Sequence, residues 1–210
     1  MKGLIKPREY SKIKTSKAIV DTSLVVFIGL LLGIFSKWLD TLGVDTSTWY
    51  GKILEVTNLN NIFSSIEIWI LLGLVISIFS SSPFRAGLNT CLFFLAMCFS
   101  YHMTSIFLAG FNPSDYMIKW YMISIACLVI GFASWYAYGK DIIAIILSSI
   151  IIVFSLTVCF SIGLWYFYII DIFKTLIFIG ILIILHTNIK KSVCSLLVGV
   201  ILAYIIKLFI

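Results

Sequence analysis

Long apolar runs separated by short polar breaks organise this chain. The runs cover about residues 18–36, 62–80, 88–110, 116–138, 142–160, 165–186 and 192–210. Apolar and polar residues do not alternate within them: Ile142 to Phe154 reads IIAIILSSIIIVF. Strands of a membrane barrel do alternate. Backbone amides in hydrocarbon must pair inside a helix or a closed barrel. The pattern therefore predicts an all-α bundle of transmembrane helices. Each run approaches the ~20 residues that a helix needs to cross a hydrocarbon core. Seven spans are expected, or six if the last run does not cross.

The breaks carry their own signals. Residues 37–61 form the longest polar stretch, where Asp45 would cap a short interfacial helix with Trp49, Ile53 and Val56 on one face. Asn61 is the expected N-cap of the second span. Turns are expected at Ser81–Gly87, at Asn112-Pro113 and at Gly139-Lys140-Asp141. From Ile142 to His186 only Asp171 and Lys174 are charged. A single helix there would be about 67 Å long, twice the bilayer, so two spans with a turn near Ser161–Leu164 are expected. Pro7, Pro83 and Pro113 all fall outside the runs.

Composition excludes a water-soluble fold. Only 11% of the residues are charged and 61% are apolar, against about 25% charged in soluble domains. The few charges also set an orientation. Residues 1–17 form a basic arm with Lys2, Lys6, Arg8, Lys12, Lys14 and Lys17. Together with Arg85, Lys140, Lys190 and Lys191 they fall on one side of a seven-span bundle. Lys37, Lys52, Lys119, Lys174 and Lys207 fall on the other. The positive-inside rule then puts the N-terminus in the cytoplasm. Two domains are expected: the arm at 1–17 and one transmembrane helical domain at 18–210. The first span reads as retained, because no small-x-small cleavage site follows it. The Lys-over-Arg and Ile bias points to a low-GC bacterium, hence a bacterial cytoplasmic membrane.

Ionisable groups inside a membrane are costly and mark candidate sites. Glu67, His102, Lys119, Asp171 and Lys174 lie in the runs, all on the side away from the basic arm. On the third span Cys98, His102, Ser105 and Ala109 share one small, polar stripe. An outward-opening cavity lined by Glu67 and His102 is expected. The structural alternative pairs Glu67 with His102 and Asp171 with Lys174, the latter three residues apart on one helix face. Lys119 and Lys174 can also snorkel to headgroups. No His-Glu-x-x-His, Gly-rich phosphate loop or Gly-x-Ser-x-Gly occurs, so no catalytic residue and no cofactor are predicted. Cys91, Cys98, Cys127, Cys159 and Cys194 form no close pair, and with His102 and His186 at opposite depths no metal site is predicted.

Small residues recur at four-residue spacing at Gly29/Gly33, Cys127/Gly131 and Ser195/Gly199/Ala203. Such steps let helices approach closely, within one bundle or between two copies. The stretch from Ile62 to Asp141 resembles a family of small, uncharacterised bacterial multi-pass membrane proteins. The resemblance rests on IWILLGLVIS (68–77), SSPFRAGLNTCLFFLAMCFSY (81–101), GFNPSDY (110–116) and SWYAYGK (134–140). It implies a membrane bundle but no activity. The family's third-span motif more often reads Ser-Tyr-Tyr. Here His102 takes the second Tyr position, which weakens a catalytic or metal role for it. The expected function is a small-solute transport or substrate-binding membrane component. The alternative is a non-enzymatic envelope protein that binds other membrane proteins. Expected partners are the bilayer, a small-molecule ligand, and a membrane protein or second copy at the small-residue faces; nucleic acid is not among them.

Overall fold

A computed structural model describes residues 8–10, 13–42, 48–49, 51, 59–163 and 165–209. Eight helices occur among them: α1 (Thr15–Thr41), α2 (Leu59–Ser64), α3 (Ile66–Phe79), α4 (Pro83–Ala109), α5 (Ser114–Ala137), α6 (Ile142–Cys159), α7 (Ile172–Leu185) and α8 (Ile189–Phe209). Strands β1 (Phe160–Ile162) and β2 (Phe167–Ile169) lie between α6 and α7. The expected interfacial helix rests on Asp45, Ile53 and Val56, which lie outside the described residues, as do Lys2, Lys6 and Lys12. Asn61 lies inside α2 and does not start a span, because that helix already runs from Leu59.

Five of these helices, α1, α4, α5, α6 and α8, are long and apolar enough to cross a bilayer. Their outward faces are hydrocarbon-like: Val20, Phe107 and Val129 are 64%, 81% and 70% exposed. Such surfaces require lipid around them, and the chain is a multi-pass helical membrane protein. The helices α3 and α7 are shorter, with 14 residues each, or about 21 Å. Ser65 breaks the first of them, its backbone extended between α2 and α3. A hairpin shortens the second.

That hairpin departs from the expected sixth span, which would begin near Trp165. Phe160, Ser161 and Ile162 pair antiparallel with Ile169, Tyr168 and Phe167. The amide of Gly163 donates to the Tyr166 carbonyl at 2.9 Å and closes the turn. Aromatic and β-branched residues suit strands as well as they suit a membrane run, so apolarity alone did not separate the two. The Asp171 carboxylate then accepts from the Phe173 amide at 2.6 Å and starts α7.

Caps fix the other helix ends. Ser82 accepts from the Arg85 amide at 3.3 Å, with Pro83 in the first turn of α4. Gly110, at φ 69°, ends α4 in the left-handed region. Asp141 accepts from the Ala144 amide at 3.1 Å and starts α6. Asn188 accepts from the Lys191 amide at 2.8 Å in the first turn of α8.

The bundle has two parts. Helices α1 and α5 pack on α4, helices α7 and α8 pack on α6, and α3 touches α4, α5, α6 and α7. The small-residue steps set these distances. A Cβ added at Gly29 or Gly33 would strike the Phe93 or Met97 carbonyl of α4. One at Gly131 would meet the Ala86 carbonyl at 2.9 Å, and one at Gly199 would meet Ile152 of α6 at 2.7 Å. These faces pack against the chain's own helices. In lipid, where burial from water does not drive helices together, such van der Waals approach is the main attraction.

Replacing Gly33 by Val should therefore cost about 1–3 kcal/mol, the usual range for overpacking. Thermal unfolding of the detergent-solubilised protein should fall clearly for Gly33→Val. Ile34→Val, on the exposed face of the same turn, should leave it nearly unchanged. Equal behaviour of the two variants would contradict close α1–α4 packing.

Candidate functional site

At the end of the bundle away from Arg85 and Lys140, five elements converge on a small cavity. Its volume is about 80 Å³. The last turns of α1 supply Ser36 and Asp40; the α2–α3 junction supplies Phe63, Ser64 and Trp69. The second half of α4 gives Met97, Cys98 and Tyr101, and the first turns of α5 give Tyr116, Met117 and Trp120. The break at Ser65 lets this happen, because it turns Phe63 and Trp69 toward the same space.

The walls are held by specific bonds. The Trp69 indole N–H donates to the Phe63 carbonyl at 3.1 Å, and their rings meet edge-on at 5.9 Å. The rings of Tyr116 and Trp120 meet at 6.0 Å. At the rim the Tyr101 hydroxyl donates to Asp40 Oδ2 at 2.6 Å, and the Ser64 hydroxyl donates to Asp40 Oδ1 at 3.2 Å. Cys98, at the deep end, lies 3.4 Å from the Ser124 hydroxyl. The Lys37 ammonium is buried over the Tyr101 and Phe111 rings, 5.3 and 4.8 Å from their centroids. The site is thus an aromatic cup with one carboxylate on its rim. Electron-rich ring faces plus a carboxylate attract cations.

The residues predicted from sequence fall elsewhere. Glu67 and His102 do not line the cup and do not bond to each other. Glu67 is only 3% exposed and accepts from the Lys174 ammonium at 2.6 Å. Its second oxygen, Oε2, is buried and has no hydrogen-bond partner among the described residues. His102 meets the Tyr121 hydroxyl through Nδ1 at 3.3 Å and Asn112 Oδ1 through Nε2 at 2.8 Å. Asp171 does not pair with Lys174; its side chain caps α7 instead. Lys119 is exposed. Matched depth on two helices does not fix the direction in which each side chain points. Glu67 turns to α7, whereas His102 turns to α5. Among the described residues no three His, Cys, Asp or Glu side chains gather as a metal site.

Arg8 and Arg85, read from the sequence only as topology charges, hold the opposite end. The Arg8 guanidinium donates to the Ile78 carbonyl at 2.9 Å and the Trp135 carbonyl at 3.2 Å. It lies 4.3 Å from the centre of the Trp135 ring. Burial pulls Arg8 below its ordinary pKa, and Tyr138 partly offsets this. Arg85 donates to the Ala18 carbonyl at 2.6 Å and to Thr22 at 3.1 Å. Thr22 donates to Asn89, whose amide donates to Ser80. The two Arg8 bonds satisfy open carbonyls at the ends of α3 and α5, and the Arg85 bonds tie the start of α4 to the first turns of α1.

No protein-family model matches the chain, and neither a curated protein nor a solved structure matches it.

The Glu67–Lys174 pair yields a test. Lys174→Met leaves a buried carboxylate without its cation and should cost about 3–5 kcal/mol. Adding Glu67→Gln should recover most of that loss, since a neutral amide needs no counter-charge. Additive losses in the double variant, measured by thermal or denaturant unfolding in detergent, would contradict the pairing.

Proposed function

We propose that the chain is a small-solute-binding or transport component of a bacterial cytoplasmic membrane, and that its aromatic cup takes a small organic cation. In this reading it crosses the bilayer seven times with the N-terminus in the cytoplasm. The short α3 is extended by α2, and the short α7 is extended by the hairpin before it. The positive-inside bias supports the orientation: Arg8, Arg85, Lys140, Lys190 and Lys191 gather at the end opposite the cup. The cup then opens outward.

One observation carries the ligand class: Asp40 sits on the rim of a cavity walled by Phe63, Trp69, Tyr101, Tyr116 and Trp120. A cation over an aromatic face gains about 0.5–2 kcal/mol, and the carboxylate adds a charge-assisted contact. Lys37 already uses the Tyr101 ring in this way. A volume of about 80 Å³ suits an alkylammonium and not a large solute. The alternative, an envelope protein acting through its small-residue faces, has less support, since those faces pack inside the chain.

Tetramethylammonium should alter the tryptophan fluorescence of the purified protein in a saturable way, and its uncharged carbon isostere neopentane should not. Asp40→Asn should weaken binding about tenfold or more, equivalent to at least 1.4 kcal/mol. Equal binding by the neutral isostere, or an unchanged affinity in Asp40→Asn, would contradict the cation reading.

Topology has a separate test. In a background without native cysteines, Asp45→Cys should react with an impermeant thiol reagent on intact cells and Lys12→Cys should not. Labelling of position 12 alone would reverse the orientation.

A further inference from the structure

Away from the cup, helices α7 and α8 both pack on α6 and leave a cleft between them. Its volume is about 290 Å³. Ile152, Ile179, Leu182, Val193 and Leu196 line it, so its walls are apolar. The two buried serines beside it do not make it polar. Ser148 donates to the Ala137 carbonyl at 3.0 Å, and Ser195 to the Ile145 carbonyl at 3.5 Å. Ile183 and Val193, 68% and 49% exposed, flank the opening, so the cleft faces the surrounding lipid.

One end of this apolar cleft is basic. Lys191 lines it and is 2% exposed. Its ammonium donates to the Leu185 carbonyl at 2.7 Å. An ammonium has three donors, and among the described residues no carboxylate pairs with this one. A buried cation without an anion is costly. Lys190 and His186 stand exposed beside it, with His186 Nδ1 2.9 Å from the Ser192 hydroxyl. An apolar slot ending at a buried cation with no carboxylate partner among the described residues is complementary to one kind of molecule, an amphiphile with a hydrocarbon chain and an anionic head.

We infer that the α7–α8 cleft binds an anionic phospholipid, with one acyl chain between the helices and the phosphate at Lys191. The chain fills a space that water would not occupy. The phosphate supplies the missing counter-charge through charge-assisted hydrogen bonds. Lys190 adds attraction from the headgroup region.

The test uses the full-length protein, delipidated in a neutral detergent. Lipid retention is read by native mass spectrometry. Dioleoyl phosphatidylglycerol and dioleoyl phosphatidylcholine share the same chains and differ in headgroup charge. The expected result is about tenfold greater retention of the phosphatidylglycerol, as one or two nearby basic groups would give. Lys191→Gln keeps a donor for the Leu185 carbonyl and should abolish that preference. Leu182→Trp and Val193→Trp fill the cleft without touching the charge and should reduce retention of both lipids. Glycerol 3-phosphate at equal concentration should not compete, because it lacks the chain. Equal retention of the two lipids by the wild type would overturn the inference. So would a phosphatidylglycerol preference that survives both cleft-filling variants, or full competition by glycerol 3-phosphate. If Lys191→Gln does not fold, the two tryptophan variants decide the matter alone.

Discussion

A carboxylate and an ammonium meet inside an apolar bundle, and much of the arrangement around them follows. Glu67 stands in the first turn of α3 and Lys174 in the first turn of α7, 107 residues apart in sequence and 2.6 Å apart in space. Neither charge is tolerable alone at that depth. Each therefore specifies where the other helix must lie. Both helices are the short ones, and both start after a backbone break: the extended Ser65 in one case, the β1–β2 hairpin in the other. The pair pins these two starts together. It also fixes the rotation of α3, which turns Trp69, two residues along, toward the cup.

The same pressure to match polar groups in lipid explains most of the buried hydroxyls. Ser77, Thr90, Ser100, Thr104, Ser124 and Ser155 are buried, and each hydroxyl returns its proton to a carbonyl three or four residues back in its own helix. They act as small, self-satisfied residues that keep helices close, alongside Gly29, Gly33 and Gly131. Carbonyls at helix ends lack that internal partner. Arg8 serves them at one end of the bundle, and Lys191 serves the end of α7. Glu67 Oε2 and Ser81 are the buried side-chain oxygens left without a partner among the described residues.

Much of the architecture was legible in the runs of apolar residues and in their punctuation. Gly110, Pro113 and Asp141 mark helix ends at the expected turns, because left-handed glycine, proline and capping carboxylates act locally; the turn expected over Ser81–Gly87 is shorter, since Ser82 caps a helix that already starts at Pro83. The hairpin was not legible. Phe167, Tyr168 and Ile169 are as apolar as a helical run, and pairing with Phe160–Ile162 is a non-local fact. The candidate site was legible only in kind. Costly charges did mark structure, but Glu67 found Lys174 and not His102, since residue spacing gives depth and not direction across a bundle. Asp40 was hidden in a polar stretch, and its role depends on Tyr101 and Ser64 from two other helices. Arg8 read as one of several topology charges. Only the packed ends of α3 and α5 reveal what it touches.

The most direct measurement is made in the bilayer, on the ion pair itself. Solid-state NMR of protein carrying ¹⁵N-lysine and ¹³C-glutamate in lipid membranes reports whether a lysine ammonium and a glutamate carboxyl are within hydrogen-bonding reach. A strong Nζ-to-Cδ dipolar coupling is expected, absent in Lys174→Met and absent in Glu67→Gln. A spectrum in which no such coupling occurs, or in which it survives either substitution, would contradict the account of how α3 and α7 are joined.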